Sequence, residues 1–254
     1  SSGGWCGLAI SPITLAASYS KPIHTAPDAL AEYDAAVIGP VWDYAGQAER
    51  FLAYCDDVGA RLPLLNPTAV LRWNLDKRYL RALEREGAPV IPTRWAETPG
   101  DADLAAALTA FDAEGLVVKP VVGAGGEGQK RVSRDAPQLG DWTGGAAMIQ
   151  PFLPSILEEG EYSFLFFGGA FSHALQKQAA PGEYRIQSIY GGRERRVEPA
   201  AEDVALATRC VQAGAALTGE DRLLYARVDM VRLPEGDLAL MELELTEPYF
   251  YPEQ

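Results

Sequence analysis

Val117-Val118-Lys119-Pro120-Val121-Val122-Gly123-Ala124-Gly125-Gly126-Glu127-Gly128-Gln129-Lys130-Arg131-Val132-Ser133 is the stretch on which the fold turns. An apolar strand closes on a lysine, and a glycine loop follows at once. Glycines let backbone N–H groups approach a phosphate without interference from Cβ. Gly123, Gly125 and Gly128 have dinucleotide-motif spacing, and Gly123 to Lys130 comes within one residue of a P-loop. Both motifs need a helix to begin at the loop, because its N-terminal N–H groups hold the anion. Here Arg131 to Pro137 reads as a strand and then a turn, so both motifs are disfavoured. A ligand-free hairpin and a phosphate-covering lid remain, and Lys119, placed to face a phosphate, favours the lid.

Outward from this loop the chain has three textures, divided as residues 1–66, 67–149 and 150–254. The first holds the apolar runs Trp5 to Ile10 and Ala35 to Val41 and a helical stretch Gln47 to Val58, which predict a small α/β unit. In the second, Val70, Leu71, Leu75, Leu80 and Leu83 predict one helix over Thr68 to Glu86, ended by Gly87. A short strand Pro89 to Thr93, an Ala-rich helix Asp101 to Phe111 and the strand Leu116 to Lys119 follow. The third predicts strands Met148 to Phe152, Tyr162 to Phe167, Ala170 to Lys177 and Tyr184 to Tyr190, a helix Glu202 to Leu217, and strands Leu224 to Arg232 and Leu238 to Leu245. Gly168-Gly169 and Glu235-Gly236 mark hairpins.

Alternation puts Arg227 and Asp229 on one face of their strand, and Glu242 and Glu244 on one face of theirs. If the strands pair, three acids converge. A wet edge face would explain them, and so would Mg²⁺ shared with nucleotide phosphates.

Composition sets the outer limits. The chain has 254 residues and a net charge of −13, which disfavours nucleic acid or an anionic membrane as partner. No run approaches the ~20 apolar residues of a membrane span, and Ser1 to Ile10 lacks a basic secretory start, so a cytoplasmic location is expected. Cys6, Cys55 and Cys210 lack metal-ligand spacing and read as reduced thiols. With only His24 and His173, a histidine zinc site or catalytic triad is hard to assemble.

Taken in order, several motifs resemble the ATP-grasp superfamily over about Tyr33 to Tyr251. Asn74-Leu75-Asp76-Lys77 is similar to its "(N)xDK" segment, and Val117 to Pro120 to its second lysine strand before the glycine loop. Gln150-Pro151-Phe152-Leu153 resembles the adenine-embracing hinge, and Gly160-Glu161-Tyr162-Ser163 the segment with a ribose-binding acid, although Glu158 and Glu159 share that loop. Gly182-Glu183-Tyr184-Arg185-Ile186-Gln187 with Gly191-Gly192 resembles the "GEFRxN…GG" stretch of the glutathione-synthetase-like branch. Trp42-Asp43-Tyr44, Leu71 to Asn74, Pro92 to Trp95 and Met241 to Leu245 with Glu247-Pro248 resemble a narrower group that includes the O-ureido-serine cyclo-ligase of cycloserine biosynthesis.

The resemblance implies two α+β subdomains clasping ATP, preceded by a shortened α/β subdomain, and an ATP-dependent carboxylate–amine ligase working through an acyl phosphate. It implies Lys77, Lys119, Gly123, Gly125, Gly126, Gln150, Phe152, Leu153, Glu161, Arg185 and Gln187 around the nucleotide. Arg185, Lys119 and Arg227 would serve catalysis, and Asp229, Glu242 and Glu244 would hold Mg²⁺, with Mn²⁺ as a substitute. Small carboxylate and amine substrates and a homodimer are implied as well. Arg185 has a rival reading as an ordinary partner of Glu183, and Glu247 is a candidate substrate contact. Two departures stand out: Glu244 replaces the family's usual Asn, and Ser11 to Pro27 lacks a clear first helix. A ligase for peptides or proteins and a nucleotide-binding regulator are the rivals; the filled acidic positions count against the regulator.

Overall fold

The computed structural model describes residues 33–39, 44, 46–186 and 188–252. The run Trp5 to Ile10, Cys6, His24, Trp42 and Gln187 lie outside the described residues. The first unit pairs β1 (Ala36–Val37) in parallel with β2 (Leu64–Leu65), and α1 (Ala48–Arg61) connects them. Phe51, Cys55 and Val58 recur near helical period on the buried face of α1, against Leu64, Leu71 and Leu75.

The helix predicted over Thr68 to Glu86 is two, α2 (Thr68–Leu75) and α3 (Tyr79–Arg85). Asp76 breaks it: its backbone is extended and its carboxylate accepts bonds from the Arg78 backbone N–H (2.9 Å) and guanidinium. Such local side-chain bonding competes with helix. The freed Lys77 N–H donates to the Val121 carbonyl at 2.8 Å, tying the break to the root of the glycine loop.

Pro89 to Thr93 is likewise not a strand. Its backbone bonds Leu240 through Ile91 N–H (3.1 Å) and the Pro89 carbonyl, with two prolines limiting further pairing. β3 forms later, at Arg94–Ala96, and joins β4 (Gly115–Pro120), β5 (Lys130–Ser133) and β6 (Ala147–Pro151) in a four-stranded sheet ordered β3-β6-β4-β5. The helix α4 (Asp101–Phe111) covers it through Leu104, Ala107 and Leu108. Because β5 returns antiparallel to β4, no helix begins at the glycine loop.

A second sheet has the order β11-β10-β7-β8-β9, all neighbours antiparallel. Its strands are β7 (Glu161–Phe167), β8 (Ala170–Gln178), β9 (Arg193–Val197), β10 (Tyr225–Arg232) and β11 (Leu238–Glu244), with the short α5 (Ser155–Glu158) before β7. Alternation divides its faces: Phe164, Phe166, Val228, Met230 and Leu243 bury against α3 and α6 (Ala201–Thr218). Tyr184 to Tyr190, predicted as a strand, instead ends in a 3-10 turn at Ser188–Tyr190. β9, unforeseen in the sequence, takes the place beside β8. Gly160 enters β7 at φ +99° so close to β8 that a methyl would collide with the Lys177 carbonyl. No described helix is long and apolar enough to cross a membrane.

Candidate active site

The polar face of the five-stranded sheet looks across a cleft of about 420 Å³ at the edge of the four-stranded sheet and the glycine loop. All the site residues predicted from the sequence line this cleft except Gln187, which is not described. Lys119 comes from β4, Lys77 from the break between α2 and α3, and Gly123, Gly125 and Gly126 from the loop. Gln150 stands on β6 and Phe152 and Leu153 directly follow it, Glu161 opens β7, and Arg227, Asp229, Glu242 and Glu244 stand on β10 and β11. Arg185 borders the cleft from the irregular segment after β8.

Cross-strand register makes the charged face a lattice. Asp229 sits opposite Ser163 on β7 and opposite Glu242 on β11, Arg227 opposite Glu244, and Glu161 opposite Lys177. The Arg227 guanidinium grips Asp229 (2.9 Å) and also reaches Glu244, while the Ser163 hydroxyl donates to Asp229. Lys177 Nζ lies 3.0 Å from Glu161 and 3.6 Å from Asp229. Lys77 Nζ bonds Glu242 at 3.0 Å and the Gly123 carbonyl at 2.7 Å, so it clamps the glycine loop to β11.

Burial divides these groups. Glu161 and Glu244 are each pushed up to about 7, first by burial and then, for Glu161, by Asp229; for Glu244 the next influence, Arg227, pulls the other way. Asp229 is equally buried, yet Arg227 and Lys177 outweigh that and hold it down at about 2. Burial alone would lower Lys77 and Lys177, but their carboxylate partners raise both. Lys119 has no hydrogen-bond or ion-pair partner among the described residues, and burial lowers its ammonium. A desolvated cation without a protein partner is suited to an incoming anion.

At the opposite end, Ile91, Leu153 and Val231 pack into an apolar layer with Met241 against them. Gln150 Nε2 donates to Thr93 Oγ1 at 3.0 Å, and the Arg131 guanidinium lies 3.7 Å from the centre of the Phe152 ring. Arg185 is held by Glu183 at 2.6 Å and covers the Tyr190 ring at 3.6 Å, so reaching a phosphoryl oxygen requires it to leave Glu183. Among the described residues no three His, Cys, Asp or Glu side chains are gathered as a metal site. The donor set nevertheless fits Mg²⁺ completed by phosphate and water: hard carboxylate oxygens, two directly opposed across strands and a third two residues on. Lys77 now holds Glu242, and Arg227 holds Asp229 and Glu244, so both cations would have to share these oxygens with the ion.

Lys177 and Tyr44 are among the cleft residues to which the sequence assigns no role. A one-residue bulge at Ser172 hid Lys177, because counting back from Gly168-Gly169 without it sets Glu161 opposite Gln176. The motif that contains Tyr44 carries no sign of its contact, because the partner Glu247 lies 203 positions away.

Residues 24–66 match the family described as D-cycloserine synthetase DcsG, N-terminal domain. The chain is 33% identical over 233 residues to the cycloserine biosynthesis protein DcsG of Streptomyces lavendulae, covering 85% of this chain and 76% of that protein. The crystal structure of D-cycloserine synthetase DcsG superposes with a TM-score of 0.77 at 30% identity, over 89% of this chain and 80% of that one. The ATP-grasp ligase PsnB, complexed with a phosphomimetic variant of its minimal precursor, Mg and ADP, shares the fold: TM-score 0.55 at 17% identity, over 82% of this chain and 65% of that one.

Proposed function

The chain belongs to the ATP-grasp carboxylate–amine ligases, which form C–N bonds with ATP and Mg²⁺, and on that footing we propose that it activates a small amino-acid-like carboxylic acid as an acyl phosphate and passes it to an amine. The observation that carries this reading is the meeting of an unpartnered Lys119, the glycine loop and three carboxylates across one cleft. Adenine would lie in the apolar layer of Ile91, Leu153, Val231 and Met241 beside the hinge. Its phosphates would run toward Lys77 and Lys119 beneath Gly123 to Gly128.

Bound Mg²⁺ supplies charge neutralisation at the phosphate oxygens, and Asp229, Glu242 and Glu244 are the residues to hold it. Lys119 and Arg185 draw charge from the transferring phosphoryl group while the substrate carboxylate attacks in line, giving ADP and an acyl phosphate. Arg227, between Asp229 and Glu244, orients both acids and stands next to the reacting carboxylate. The amine then attacks the acyl carbon and phosphate leaves. The glycine loop shields the mixed anhydride from water. An intramolecular amine would make the product cyclic.

The test is phosphate release from ATP and Mg²⁺, or Mn²⁺, across a panel of amino acids and O-substituted serines, with mass spectrometry of products. Release should depend on one acid and give a product lighter by one water. Lys119→Ala and Asp229→Asn should each lower turnover about 100- to 1,000-fold, the loss typical of removing one preorganised charge-stabilising group. Wild-type rates in folded variants would overturn the assignment.

A further inference from the structure

Beyond the acids that face the phosphates, the cleft contains a buried carboxyl that the reaction as derived does not use and that no described cation pairs with. Glu247 lies just past β11, only 7% exposed. Its Oε1 accepts a hydrogen bond from the Tyr44 hydroxyl at 2.8 Å, and among the described residues no cation lies within ion-pair distance. Asp229, Glu161, Glu242 and Glu244 each have such a cation. A buried carboxyl without a positive partner is costly, and proteins keep one where a ligand supplies the charge.

Position along β11 identifies that ligand. Ala239 packs with the apolar Leu153 and Val231 at the hinge end, Glu242 and Glu244 follow in mid-cleft, and Glu247 comes three residues later. At about 3.3 Å per extended residue the chain runs roughly 7 Å from Glu242 to the strand end at Glu244, and Glu247 follows in the bend after it, on the side of the acids away from the hinge. Tyr249 and Tyr251 also line the cleft, their rings 4.8 Å apart, and Lys177 Nζ, 5.4 Å from the Tyr251 ring, shows that an aromatic face here accepts a cation.

We propose that Glu247, oriented by Tyr44, is the subsite for the protonated amino group of a zwitterionic amino-acid substrate. This rests on the ligase reading and adds the substrate's charge pattern: ammonium at Glu247, carboxyl toward Arg227 and the phosphates. Burial first, and then repulsion from Glu244, hold the Glu247 carboxyl well above the usual carboxylate range, as suits an acid that lacks its counterion. The N-terminal unit enters the site through Tyr44.

The experiment separates binding from turnover. With Mg²⁺ and a non-hydrolysable ATP analogue present, thermal shift and calorimetry are run with free D- and L-amino acids, O-substituted serines and their N-acetyl derivatives. At least one free amino acid should bind, and its N-acetyl form should not. Glu247→Gln keeps an oxygen to accept the Tyr44 bond and should weaken that binding about 30-fold or more, as loss of a buried charge partner does. Tyr44→Phe should weaken it by a smaller factor, and nucleotide affinity should stay unchanged in both. Equal binding of the N-acetyl form, unaltered binding to Glu247→Gln, or no amino acid bound at all would overturn the inference. Phosphate release is scored separately, so binding without release would count against the ligase chemistry and leave the subsite standing.

Discussion

Among the described residues three lysines face the cleft, and one of them lacks a protein partner. Lys77 is held by Glu242 and Lys177 by Glu161, whereas Lys119 is desolvated without a bond to any described residue. The acids show the complementary imbalance, with Glu161 and Glu244 raised to about 7 and Asp229 lowered to about 2. A raised acid binds more protons folded than unfolded between its two pKa values, so its stabilisation is full below about 4.5 and is lost as pH rises through about 7. Asp229 acts in the opposite sense: its contribution is present above about 3.8 and is lost as pH falls toward 2. Nucleotide-free protein should therefore lose stability from these two glutamates between pH 5 and pH 7.5. Urea midpoints over that range measure it, and Glu244→Gln should flatten the fall. A fall of unchanged steepness in Glu244→Gln would show that Glu244 ionises as an ordinary acid.

Elements hold these residues through a few buried amides. Asn74, at the end of α2, donates to the Leu243 carbonyl (2.7 Å) and accepts from the Leu245 N–H (2.8 Å), so its side chain acts as a strand edge for β11. Asn66, at φ 32°, similarly bonds the Tyr225 and Leu245 carbonyls and the Leu224 N–H. Asn74→Ala leaves two buried backbone groups unpaired and should cost about 3 kcal/mol, read from denaturant unfolding. A cost below about 1 kcal/mol would mean that water replaces the amide. Much at this scale was legible: alternation placed Arg227, Asp229, Glu242 and Glu244 on one face, and the Ala-rich helix came out at Asp101–Phe111. What escaped depends on single residues that periodicity does not register. Leu71, Leu75, Leu80 and Leu83 keep their helical spacing across the break at Asp76, although a local carboxylate bond turns Lys77 into the cleft. The bulges at Ser172 and Met241 shift cross-strand partners by one, so Lys177 could not be set against Glu161 by counting. Between Tyr184 and Tyr190, Arg185 bonds locally to Glu183 and Tyr190 and no strand forms.

At the scale of the whole molecule, two sheets close on a cleft whose acidic side repels the phosphates it is built to receive. Asp229, Glu242 and Glu244 face the same space as Lys77 and Lys119, in a chain of net charge −13. Nucleotide alone must approach against that field, and Mg²⁺ removes the opposition where it is strongest. A ligand that binds only the folded form stabilises it by about 2.7 kcal/mol at one hundred times its dissociation constant. A non-hydrolysable ATP analogue with Mg²⁺ should therefore raise the melting temperature well above the shift given by the analogue with chelator. The same complex should slow proteolysis within residues 123–129, because Lys77 and the phosphates then hold the loop from both sides. Since the long-range field is repulsive, moderate salt should speed nucleotide association, opposite to its effect on a basic binding site. Equal melting shifts with and without Mg²⁺ would show that the three carboxylates do not face the phosphates, and would move the metal out of the proposed cleft.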